Sequence, residues 1–180
     1  MTASTSEQDR LVVGLAALAV IIHVLETAIP SPVPGLRPGL ANVITLVVLF
    51  RYGLAMAAWV NLLRVVGGSL LIGTFLAPAF LLSLVGALAV LLSLAVVRPL
   101  LRLGLSPIGS GALASVAHVG GQLLIVRLLL IPHDGLWLLA PWLMIAALPL
   151  GIFTGMIASE TLKQLETTPK GGRTASHATD

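Results

Sequence analysis

Apolar residues in this chain come in long unbroken runs, separated by short breaks rich in proline, glycine and arginine. A bilayer core about 30 Å thick takes roughly 20 apolar residues per helix. Runs of that kind predict six spans: Leu11 to Ile29, Leu40 to about Tyr52, Leu54 to Gly73, Ala79 to Val97, Ile108 to Ile131, and about Leu139 to Glu160. The second is short for a full crossing, and the pattern predicts it irregular, tilted or only partly inserted. The breaks fall at Pro30 to Pro38, Arg51 to Gly53, Thr74 to Pro78, Arg98 to Pro107 and Pro132 to Pro141. The fold class this predicts is an all-α integral membrane protein, a six-transmembrane-helix bundle.

Composition agrees. The 180 residues are 57% hydrophobic and 9% charged, with a mean hydropathy of +1.05, whereas a soluble domain needs far more charge to cover its surface. There is no cysteine, so neither disulfides nor thiolate metal sites hold the chain together.

The pI of about 10.2 changes meaning once the basic residues are placed, because they sit between apolar runs rather than on one surface. Arg10, Arg51, Arg98, Arg102, Lys163, Lys170 and Arg173 fall at the termini and in the second and fourth breaks, against Arg37 alone in the first, third and fifth. By the positive-inside rule both termini are then cytoplasmic, and Trp137 and Trp142 suit an outer interfacial belt. Residues 1–10 read as a cytoplasmic N-terminal segment leading into an uncleaved first span, because they lack a basic n-region. Residues 11–160 read as the six-helix membrane domain, and 161–180 as a disordered cytoplasmic tail.

The break after the first run organises the rest. Pro30 to Gly39 holds four prolines and two glycines, so neither flanking helix continues through it. A stiff polar connection between two membrane segments suits a rim or lid over a cavity, with Pro30, Pro34, Gly35 and Arg37 as lid residues. Four spans each carry a polar pair three or four residues apart, hence on one helical face: His23 with Glu26, Asn42 with Thr45, Asn61 with Arg64, and His118 with Gln122. Ionised groups in hydrocarbon cost at least about 2.5 kcal/mol, so these stripes should turn away from lipid, towards a pocket in the outer half. Glu26, Asn42, Asn61, Arg64, His118 and Gln122 are the candidate ligand contacts.

Each has a plainer alternative. Arg64 and Glu26 are equally suited to a structural bridge, His118 to a hydrogen-bonding role in the core, and His23, Asn42 and Asn61 to joining helices. Arg127 lies half a turn from His118 and reads as a residue snorkelling to the interface. In the last span Ala147, Gly151, Gly155 and Ser159 recur every four residues, a small-residue stripe that lets helices approach closely. It suits packing within the bundle or a docking face for another membrane subunit.

Other chemistry is missing from the sequence. No GxxxxGK[ST] loop is present to hold nucleotide phosphates, no constellation suggests a hydrolase, and no basic and aromatic interleaving suggests nucleic acid. No cofactor is implied.

The runs ETAIPSPVPGLRPGLANVITL, LLRVVGGSLLIG and AHVGGQLL together resemble the Gx transporter family, often labelled heptaprenyl diphosphate synthase component I and grouped with the substrate-binding S components of energy-coupling factor transporters. The resemblance covers about Leu11 to Ser159. It aligns Glu26, Pro30, Pro34, Gly35, Gly39, Ala41 and Asn42 with the first motif, Arg64, Gly67 and Ser69 with the second, and His118, Gly121 and Gln122 with the third. It implies a six-helix bundle in the bacterial inner membrane that binds an external solute, anionic on the local charge tally and by analogy a flavin or vitamin precursor. A membrane coupling subunit and an ATPase would come from other chains. The first span departs from the S-component pattern in having no alanine pair four apart.

The alternative is an accessory membrane protein of prenyl diphosphate or quinone metabolism without transport activity. Synthase activity of the chain itself is not expected: magnesium-dependent diphosphate chemistry needs clustered carboxylates, and Asp9, Asp134 and Asp180 are isolated. A structural subunit of a larger complex is the third possibility.

Overall fold

The computed structural model describes residues 5–28, 40–99, 104–131 and 133–167, and these are helical apart from short connections. Among the described residues six α-helices with both ends in view follow one another: α1 (Thr5–Ala28), α2 (Leu40–Tyr52), α3 (Leu54–Ile72), α4 (Pro78–Val96), α5 (Pro107–Ile125) and α6 (Leu136–Thr167). A five-residue π-helical segment, Val126–Leu130, continues α5. All but α2 are long and apolar enough to cross a membrane. Their outward faces are apolar, as with Leu71 on α3 and Leu92 on α4, and that is the surface a lipid-facing helix needs.

Helix α2 is short for a physical reason. Its 13 residues make a rod of about 20 Å, less than a bilayer core. It packs against α1, α3, α5 and α6, and Val43, Leu46, Val47, Val48 and Leu49 are all buried. A helix apolar all round belongs inside protein, so α2 is the centre of the bundle. The core built on it draws Ala19 from α1, Ala57 and Val60 from α3, Val90 and Leu94 from α4, Ala114 from α5 and Ala158 from α6. Lipid is as apolar as leucine, so what this core gains over the bilayer is close packing, not removal from water.

The connections are tight. Gly53 alone joins α2 to α3, at φ 94, a conformation that side chains rarely adopt, and its N–H donates to the carbonyls of Val48 and Leu49. Gly73 ends α3 in the left-handed conformation, the usual glycine stop. Pro78 and Pro107 open α4 and α5, and Ser106 caps α5 by accepting from Gly109 N–H at 3.2 Å.

Two boundaries differ from the sequence reading. Helix α1 starts at Thr5, so the polar lead-in is already helical over Thr5 to Arg10. Helix α6 runs through Thr161 to Thr167, where a disordered tail is expected. Leu162 packs on the core, Thr161 donates to the Ile157 carbonyl at 2.8 Å, and Lys163 pairs with Glu160. The lid positions Pro30, Pro34, Gly35 and Arg37, and residues 168–180, lie outside the described residues.

The stripe Ala147, Gly151, Gly155 is buried. A methyl group on Gly155 would lie 2.6 Å from Ile108 Cα, and one on Gly151 2.6 Å from the Gly111 carbonyl. The close approach the stripe permits is therefore made within the chain, to α5. The opposite side of α6 exposes Ile152, Phe153 and Met156.

Candidate functional site

At the end of the bundle where α1 finishes and α2 begins, six helices surround a cavity of about 180 Å³. His23, Glu26 and Thr27 enter it from α1, Asn42 from α2, Arg64 and Ser69 from α3, Ser83 from α4, Ser115, His118 and Gln122 from α5, and Ala147 and Leu150 from α6. The polar stripes predicted on four separate spans thus meet around one space. Of the six candidate contacts, Glu26, Asn42, Arg64, His118 and Gln122 line it.

Asn61 does not. It is wholly buried behind Arg64, where its Oδ1 accepts from Arg64 Nη2 at 2.7 Å and its Nδ2 donates to the Ala87 carbonyl of α4 at 3.3 Å. Asn61 therefore fixes the arginine and ties α3 to α4. The spacing of three residues places both side chains on one face, but only packing decides which of them reaches the cavity.

Glu26 sits opposite. Its Oε1 accepts from the backbone N–H of Leu40, the first residue of α2. A carboxylate there satisfies one of the helix's unpaired amides and meets the positive end of its dipole. Glu26 thereby pins the end of α1 to the start of α2, and its charge also attracts Arg64.

Both site imidazoles lean on glycines of the neighbouring helix. A methyl group at Gly68 would lie 2.5 Å from His23 Cδ2, and one at Gly86 would lie 2.6 Å from His118 Cε1. Bare backbone at these positions lets each ring seat between two helices. His23, expected from the sequence to hydrogen-bond a neighbouring helix, packs against Gly68 of α3 and lines the cavity as well.

In two of the lining residues a polar atom turned away from the open space, Asn42 Oδ1 and Arg64 Nε, has no hydrogen-bond partner. Both residues are more than nine-tenths buried. Leaving such a group unpaired costs about 1–3 kcal/mol. Among the described residues no group of three or more His, Cys, Asp or Glu is placed to hold a metal ion.

Of the lining serines, Ser69 had been marked only as part of the second motif, and Ser83 and Ser115 were not singled out by sequence reasoning. Ser115, His118 and Gln122 follow one helical face at spacings of three and four, and that is the signal that would have found the first of them. Ser69 donates to its own helix at the Val66 carbonyl, the common fate of a membrane serine. Arg127 lies away from the cavity and pairs with Asp134 at 2.6 Å.

An apolar helical bundle that encloses charged and hydrogen-bonding side chains around one cavity defines an α-helical membrane protein with an internal polar site. The family can be named as well: a family model described as heptaprenyl diphosphate synthase component I matches residues 15–161, and the chain belongs to that family. No curated protein and no solved structure matches it.

Proposed function

We propose that the chain is the substrate-binding subunit of a small-molecule transporter, similar in role to the S components of energy-coupling factor transporters, and not an enzyme. The observation that carries this reading is the enclosure of the polar stripes. Glu26, Asn42, Arg64, His118 and Gln122 face one cavity while the outward faces of the helices are apolar. A binder of lipid chains would instead need an apolar groove open to the bilayer. In this reading all six helices form a bundle with cytoplasmic termini in the bacterial inner membrane, and the cavity opens outwards at the Pro30 to Pro38 end, with a solute held by Arg64 and oriented by Asn42, His118 and Gln122. Energy would come from a coupling subunit and ATPase on other chains.

By family analogy the solute is a flavin or vitamin precursor. The polar lining of the cavity speaks against the accessory role in prenyl metabolism that the family description suggests, since a polyprenyl chain needs an apolar groove. The test is mass spectrometry of what co-purifies with the detergent-extracted protein, comparing wild type with Arg64→Ala and Glu26→Ala. A small polar solute present in wild type and lost from both variants is the expected result. A prenyl lipid retained in all three would overturn the reading in favour of the accessory role.

A further inference from the structure

We infer that the α4–α5 wall of the cavity reads a polyhydroxylated part of the solute, a run of hydroxyl groups on a carbon chain or ring. The inference rests on the solute-binding role proposed above and names the chemistry that role would serve.

Several hydroxyls of this bundle turn back on their own helix. Ser69 donates to the Val66 carbonyl, Ser93 to the Val90 carbonyl and Thr154 to the Leu150 carbonyl, each at 2.8 Å, the usual fate of a hydroxyl in a membrane helix. Ser83 on α4 and Ser115 on α5 do otherwise. Both line the cavity half-buried, and among the described residues neither hydroxyl has a hydrogen-bond partner. The amide of Gln122, half-buried in the same wall, has none either. Unlike the sealed atoms of Asn42 and Arg64, these three groups are open to the cavity, where a solute can reach them.

Their placement calls for several polar groups on the solute. Ser115, His118 and Gln122 follow one face of α5 over seven residues, a row of about 10 Å. Ser83 adjoins the row from α4, one turn from the Gly86 on which His118 is seated. A single carboxylate, amine or amide meets one point of such a row. A chain with an oxygen on each carbon meets several.

The chemistry of the wall selects hydroxyls on a second ground. A serine hydroxyl and a glutamine amide each both donate and accept, and so does a hydroxyl group, whereas a carboxylate only accepts and an ammonium only donates. Between its polar groups the wall is apolar, with Phe80 on α4, Val119 on α5 and Leu150 of α6 beside them, which suits the C–H surface between hydroxyls. Glu26 and Arg64 belong to α1 and α3, so the wall reads hydroxyls whatever charge the rest of the solute carries.

The test uses the full-length protein in nanodiscs and matched six-carbon probes that differ only in their inner hydroxyls: gluconate with 6-hydroxyhexanoate, glucamine with 6-aminohexan-1-ol, and glucitol with 1,6-hexanediol. Calorimetric titration should give saturable binding of at least one hydroxylated probe, at least about 100-fold tighter than its partner, because the partner leaves the polar groups of the wall unpaired. Gln122→Leu and Ser83→Ala should each weaken that probe about tenfold. The melting temperature of the empty protein should not fall in either variant, since neither side chain holds the fold together by a hydrogen bond.

A partner that binds as tightly as its hydroxylated counterpart would overturn the inference, as would the failure of every hydroxylated probe to bind, or variants that melt earlier without weakening the probe. The co-purification experiment separates the two levels. A small polar solute without hydroxyl groups, lost from Arg64→Ala, removes the polyhydroxylated ligand and keeps the binding role, and a retained prenyl lipid removes both.

Discussion

Asn61 accepts a 2.7 Å hydrogen bond from Arg64 and, through its amide nitrogen, donates to the Ala87 carbonyl on the next helix. A buried cation is thus held by a neutral amide that itself bridges two helices. Asn61→Leu should destabilise the protein by about 2–3 kcal/mol, since it strips a charged group of a partner and leaves the Ala87 carbonyl without its side-chain donor. Chemical unfolding of the purified protein measures this, and a change below about 0.5 kcal/mol would show that Arg64 does not depend on Asn61.

Glu26 is predicted to act on α2 as a cap as well as on the cavity. Glu26→Ala should cost about 1–2 kcal/mol and speed amide exchange over Leu40 to Val43. Glu26→Gln keeps an oxygen acceptor for Leu40 N–H and should retain most of the protection. Equal exchange in all three proteins would contradict the capping role.

The seat of His118 on Gly86 can be tested by a double-mutant cycle. Gly86→Ala places a methyl group 2.6 Å from His118 Cε1 and should cost about 1–3 kcal/mol. Combined with His118→Ala, which removes the ring, it should cost much less. Additive effects of the two changes would mean that the ring and Gly86 are energetically independent.

Gly155 abuts Ile108 Cα and the Pro107 carbonyl, atoms that cannot move aside as a flexible side chain does. Gly155→Leu should therefore abolish the folded monomer in size-exclusion chromatography, whereas Met156→Leu, on the exposed side of α6, should behave as wild type. A folded Gly155→Leu protein that had lost only a partner subunit would restore the docking reading of this stripe.

The spans and the cavity were legible to different degrees. Length and apolarity located the helices because a bilayer admits little else, but a short apolar run reads the same facing lipid or facing protein. That is why the central position of α2 emerged only from packing. The i, i+3 and i, i+4 pairs identified which residues share a face, so Glu26, Asn42, Arg64, His118 and Gln122 could be grouped. The same rule could not tell that Asn61 stands behind Arg64, since neighbours on a face differ only in how they rotate into the bundle. Nor could it show that His23 and His118 need Gly68 and Gly86, because that relationship joins residues far apart in the chain. The helical stretch Thr161 to Thr167 was missed because its threonines and glycine-rich sequel read as a tail, whereas Leu162 draws it back to the core.

The central claim, that these polar residues line one cavity reached by water from the outer face, is tested most directly by thiol accessibility, since the natural chain has no cysteine. A membrane-impermeant methanethiosulfonate reagent applied to intact cells should label Ser83→Cys in the cavity wall and should leave Leu92→Cys, on the lipid-facing side of the same helix, unlabelled. Labelling of Ser83→Cys from the cytoplasmic side only, or of neither position from either side, would contradict the account.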